Sequence, residues 1–133
     1  MCVLHIEIET DNLDLILNSI NLPIYQIYKK GDKSKFRKEI IYETNLISCD
    51  VSEKDWKDFE GQTKDMITFL NKFRDDLIYI RKNSNQVDFI FDLPYQNRQT
   101  FNQNDFLPTE LLLKSGDLGI GINLSLYNVE NQE

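Results

Sequence analysis

From Cys2 to Glu9 the chain alternates without a slip: Cys2, Leu4, Ile6 and Ile8 fall on one side, Val3, His5, Glu7 and Glu9 on the other. Period-two patterning of this kind predicts a strand with one buried face. The chain must therefore lay a sheet over a core on one side only. The period then changes. Leu13, Ile16, Leu17 and Ile20 recur at i, i+3, i+4 and i+7, the stripe of a short amphipathic helix. Asp11 or Asn12 is placed to cap it, and Asn21 and Pro23 to end it.

Ile24 to Tyr28 is rich in β-branched and aromatic residues and predicts a second strand. The polar KKGDKSK around Gly31 and Asp32 then supplies a turn before an extended stretch from Phe36 to Ser48, so strands two and three are expected to form a hairpin. Ser52 with Asp55 has the spacing of a capping box. Beyond it Trp56, Phe59, Ile67, Leu70, Phe73, Arg74 and Leu77 keep helical spacing, interrupted at Gly61, which predicts one long or broken helix to about Arg81. Val87, Phe89 and Phe91 alternate as a fourth strand expected to end by Pro94. Tyr95 to Asp105 is polar and irregular and predicts a loop. Pro108 suits the first turn of a short helix through Leu113 with Gly116 as terminator. Ile120, Ile122, Leu124 and Leu126 alternate in a last strand, and the tail over 128–133 is expected to fray.

The order β-α-β-β-α-β, followed by a short helix and a final strand, predicts an α+β fold. Right-handed crossovers make it a ferredoxin-like two-layer sandwich, a mainly antiparallel sheet with helices on one face. With 133 residues, 41% of them hydrophobic, one domain over 1–133 accounts for the chain, its ordered core at about 2–127. In this arrangement strand one runs antiparallel beside strand three. Cys2 and Cys49 then become neighbours, read as two reduced, partly buried thiols rather than as a disulfide scaffold.

Charge excludes several functions. Twenty-two acidic against 15 basic residues leave a net charge of −7, the wrong sign for displacing counterions from nucleic acid. The expected third strand, FRKEIIYETN, lacks the basic-aromatic pattern of an RNA-recognition module. No apolar run reaches the roughly 20 residues of a membrane span. The start MCVLHIEIE has no basic segment followed by a long apolar one, so the expected location is the cytoplasm. The single histidine, His5, excludes sites that need two imidazoles, and any Ser-His or Cys-His pair would have to use it with a remote nucleophile. Gly116, Gly119 and Gly121 enter a strand rather than leaving one, opposite to a dinucleotide loop. We therefore expect no catalytic residue, no metal site and no cofactor.

The charges are also unevenly placed. Lys29, Lys30, Lys33, Lys35, Arg37 and Lys38 cluster at the hairpin with only Asp32 against them, while the rest of the chain carries 21 acidic and nine basic residues. Asp50, Glu53, Asp55, Asp58, Glu60 and Asp65 gather on the approach to the long helix, around Trp56 and Phe59. Solvated surface accounts for such a layout, and so does a docking face, since aromatic anchors ringed by charge are typical of hot spots. The candidate partner-binding residues are Asp50, Glu53, Asp55, Trp56, Asp58 and Glu60, with Tyr95 and Arg98 on the polar loop.

The first strand and helix, the K-G-D turn at Lys30, Gly31 and Asp32, the long second helix and the ending FLPTELLLKSGDLGIGINLSLY from Phe106 to Tyr127 resemble a bacterial family catalogued as "domain of unknown function 4279". Where that family usually carries a tryptophan after the turn, this chain has Ile40, Ile41 and Tyr42. Some members are similar to toxin-immunity proteins. The resemblance implies a non-catalytic protein-binding domain, an immunity protein that occludes a toxin, acting as a monomer or weak homodimer without nucleic acid or membrane. The alternative is a regulatory module whose sheet binds a small molecule.

Overall fold

The computed structural model describes residues 1–37 and 39–128. Among them the chain forms five strands in one sheet and three helices. The alternating start becomes β1 (Val3–Glu9), the central strand of the order β2-β3-β1-β4-β5. Its partners are β3 (Asn45–Asp50) on one side and β4 (Gln86–Asn97) on the other, both antiparallel. The register places Leu4 between Cys49 and Phe91 and Ile6 between Ile47 and Phe89. All six are buried on one face. That face is covered by α1 (Leu13–Asn18), α2 (Phe59–Lys82) and α3 (Thr109–Asp117), which contribute Ile16, Leu70 and Leu111, among others, to the same core.

The expectation of a mainly antiparallel sheet needs correction: the sheet is mixed. β5 (Ile120–Asn128) runs parallel to β4 over nine residue pairs, because α3 carries the chain back along the sheet before β5 begins. β2 (Ile24–Tyr28) pairs antiparallel with β3 as expected, but β3 starts at Asn45 rather than Phe36. The connection over 29–44 is a structured turn. Gly31 at φ 92° donates to the Tyr42 carbonyl, the Asp32 carboxylate accepts from the Lys29 amide, and Lys33 bridges to Ile41. Lys38, counted in the basic cluster, and the frayed tail expected beyond Asn128 lie outside the described residues.

β4 does not stop at Pro94. Within a strand a residue's N and C=O point the same way, and the Pro94 carbonyl accepts from Gln62 Nε2 at 2.8 Å on the side where β1 has already ended. The missing proline N–H therefore removes no ladder bond. α3 ends at Asp117, past the expected Gly116 terminator, with Gly119 at φ 70° making the turn into β5.

α2 runs unbroken through Gly61 and starts later than a cap at Ser52 implies. Asp58 is its N-cap, accepting from the Gly61 amide at 2.9 Å, while the Ser52 hydroxyl donates to Asp65 instead. Asp58→Ala should cost about 1 kcal/mol, and Asp55→Ala less than about half that. Urea unfolding of both variants checks this, and a larger loss at Asp55 would contradict the observed cap.

Candidate functional site

β4 outruns β1 by five residues, Leu93 to Asn97, because the β1 pairing stops at Asp92 opposite Val3. The segment between β3 and α2 fills the space this leaves. Its Val51 and Ser52 amides both donate to the Cys2 carbonyl, and it brings Trp56 against Tyr127 of β5 at 6.1 Å. Phe59, at the first turn of α2, meets Tyr95 edge-on at 6.3 Å. Four aromatic rings from three separate stretches of sequence thus collect at one end of the sheet.

A cleft of about 340 Å³ opens beside them. Its apolar surface comes from Phe59, Tyr95, Leu107, Leu124 and Leu126, its polar edge from Asn97, Gln103 and Asp105. The loop after β4 is tied down over it. Gln103 donates to the Gln96 carbonyl and to Asp105, accepts from the Arg98 amide at 3.0 Å, and Arg98 pairs with Asp105 at 3.1 Å. The Asp105 carboxylate is mostly shielded, at 16% exposure. The Arg98–Asp105 pair thus closes the loop on itself, and Gln103 links it to the end of β4.

The sequence-based candidates divide. Trp56, Asp58, Tyr95 and Arg98 belong to this end of the sheet. Tyr95 lines the cleft from within β4 rather than from a loop. The Asp58 carboxylate is engaged in capping, and Asp55 accepts from the Lys57 amide at 2.7 Å in the turn before α2. Glu60 pairs with Lys64 on the helix surface at 3.1 Å. Asp50 lies at the end of β3, in one row across the sheet with Val3 and Asp92, and borders a separate hollow with Asp65 and Lys72. Among the described residues, the Asp50 and Glu53 side chains enter no hydrogen bond or ion pair, and both are exposed. The face of the sheet away from the helices also carries Glu7, Asp88 and Asp92, two of which the sequence did not single out.

The acidic and basic clusters hang from opposite ends of β3. Asp50 is its last residue and Glu53 and Asp55 follow it, while the connection with Lys33, Lys35 and Arg37 precedes its first. The two clusters named from the sequence are therefore separate in space.

Leu124 and Leu126 lie in the last strand, where their alternation places them. They are 47% and 53% exposed. The signal that finds them is length: α3 has nine residues and rises about 13 Å, whereas the nine residues of β5 extend about 30 Å. The helix can cover only the first half of the strand, where Ile120 is buried.

His5 does meet a serine across the sheet, its Nδ1 standing 2.9 Å from Ser48 Oγ. The hydroxyl's residue is 2% exposed, which closes it to a substrate and makes the pair a cross-strand link. Cys2 and Cys49 lie diagonally on the core face, since Cys49 is opposite Leu4. They are fully buried rather than partly so, and burial pushes both thiols up to about 12. No family model, no curated protein and no solved structure matches the chain.

Proposed function

We propose that this chain is a non-catalytic protein-binding domain that receives a basic partner at the Trp56 end of the sheet. The observation that carries this reading is the juxtaposition of a partly buried tryptophan, an apolar cleft and unpaired carboxylates at one end, with the lysine-rich connection at the other. Apolar anchors supply contact area and the acidic rim steers the encounter. The antiparallel pairings of β1 with β3 and β4, and of β2 with β3, support a ferredoxin-like reading of the first four strands, with α3 and β5 added at one edge. A basic toxin covered by its immunity protein is the instance of such a partner that the sequence resemblance suggests.

Asp50 and Glu53 are the residues to test, because neither side chain supports the fold. Titration calorimetry and stopped-flow association with basic proteins encoded beside the gene should give a complex. The Asp50→Lys, Glu53→Lys variant should associate at least about tenfold more slowly at low salt, with a shallower salt dependence. Absence of a complex, or an unchanged rate in the variant, would remove this reading.

The cleft favours a second reading, since about 340 Å³ with an apolar floor and three polar side chains is within the size range of small-molecule sites. A metabolite that binds there should raise the unfolding temperature with its concentration, and Leu126→Arg should abolish the rise.

A further inference from the structure

The two edges of the sheet are built differently. β2 is short, at five residues, carries a bulge between Ile24 and Gln26, follows Pro23 and runs into Lys29 and Lys30. These are the devices by which natural sheets prevent edge pairing. β5 has none of them. It is nine residues long, pairs with β4 in unbroken register, and reads IGINLSLYN, without a charge or a proline in a chain that is 28% charged. Leu124, Leu126 and Tyr127 on it are about half exposed, and α3, packed beside it, exposes Leu112 and Leu113.

We propose that the β5 edge pairs antiparallel with β5 of a second copy about a two-fold axis at Leu124, joining the two sheets into one of ten strands. Directly opposed residues must point to the same face, so the register sum is even, and centring on Leu124 uses the whole strand. The strand is then self-complementary. Leu124 meets its own counterpart and Leu126 meets Ile122. Asn123 faces Ser125, a hydrogen-bonding pair, and the Tyr127 ring lies across Gly121, which leaves room for it on the open face. A two-fold axis perpendicular to the sheet keeps both helix layers on one side, which turns the exposed leucines of α3 toward the joint.

Charge selects a second copy over a foreign strand. A chain of net charge −7 that took a basic strand here would carry acids on β5, whereas an uncharged strand is what self-pairing requires, because like charges then never oppose each other. Roughly eight to ten inter-strand hydrogen bonds become available over nine residues. The joint takes Leu124 and Leu126 of the cleft and leaves Asp50 and Glu53 outside it, so the acidic rim can be tested independently of the dimer.

Sedimentation equilibrium of the protein alone, over about 1–200 µM, tests this. The wild type should move from 15.7 kDa toward twice that mass. Leu124→Lys and Leu124→Glu each place like charges on the axis and should remain monomeric, with unchanged circular dichroism. An equimolar mixture of the two variants should recover the doubled mass. Leu15→Lys, at a more exposed leucine on α1, should dimerise as the wild type does. A wild type that stays monomeric throughout, which would leave the edge to a partner's extended segment, overturns the proposal. So does a dimer that persists in both variants, or a mixture that fails to reassemble. Asp50→Lys, Glu53→Lys should leave the dimer intact whatever it does to partner binding.

Discussion

Raised from pH 8 to pH 11, the protein should lose on the order of 5 kcal/mol of stability through its two thiols alone. Cys2 and Cys49 are fully buried on the core face, and desolvation lifts both from an ordinary value of 9.0 to about 12. A folded-state value above the unfolded one means that the unfolded chain gives up protons first. Stability from this source is complete below pH 9 and is lost progressively as pH climbs toward 12. Each thiol contributes about 1.4 kcal/mol per pH unit in that window, and two of them compare with the total of about 5–15 kcal/mol that holds a domain together. Urea unfolding at pH 8, 9, 10 and 11 reads the slope. The comparison is with Cys2→Ala, Cys49→Ala, which shares every other ionisable group and should fall less steeply above pH 9. Parallel slopes would mean that the thiols are not dry. At pH 8 the native protein should also leave a thiol reagent unreacted until urea is added.

The strands and helices that pack on both sides of one core were legible in the sequence, because burial on a single face imposes a period. The alternating start shows this best: Cys2, Leu4, Ile6 and Ile8 are all fully buried. Boundaries were less legible where a backbone group finds a partner that the local sequence does not announce. Pro94 sits inside β4 because Gln62, thirty-two residues away, takes its carbonyl. The cap of α2 moved from Ser52 to Asp58 because the Ser52 hydroxyl is drawn to Asp65 on the helix it was expected to open. The parallel pairing of β5 depends on the path of α3, which composition and period leave open.

The candidate site was legible in its charges and aromatics and hidden in its leucines. Trp56 stood out as an anchor and Tyr95 as a candidate on a polar loop, and the structure seats them at the same end of the sheet, each against another ring. For Leu124 and Leu126, alternation reports which face a residue is on, not whether anything covers that face. Their exposure follows from a helix too short for the strand beside it. The Asp105 pairing with Arg98 was equally hidden, since it joins two residues of one polar loop that carry no periodic signal.

Phe91→Ala should cost about 3–5 kcal/mol of stability. Phe91 is fully buried in the middle of β4, between Leu4 on β1 and Ile122 on β5. Its ring meets Phe69 of α2 edge-on at 6.2 Å, and Phe69 in turn lies 4.9 Å from Phe73. One side chain therefore ties the sheet to the long helix. Its removal leaves a void that β-sheet hydrogen bonds on both sides prevent from collapsing, which places the loss toward the upper end of the range. For a chain of this length the unfolding temperature should drop by about 10–20 °C. The adjacent Ile90 supplies the control: it points to the open face, is 42% exposed, and its replacement by alanine should cost less than about 1 kcal/mol. Because neighbouring residues of a strand face opposite ways, the ratio of the two losses reports the register of β4 directly. Comparable losses, or a larger one at Ile90, would mean that β4 is paired one residue out of step and that the core is lined by its other face.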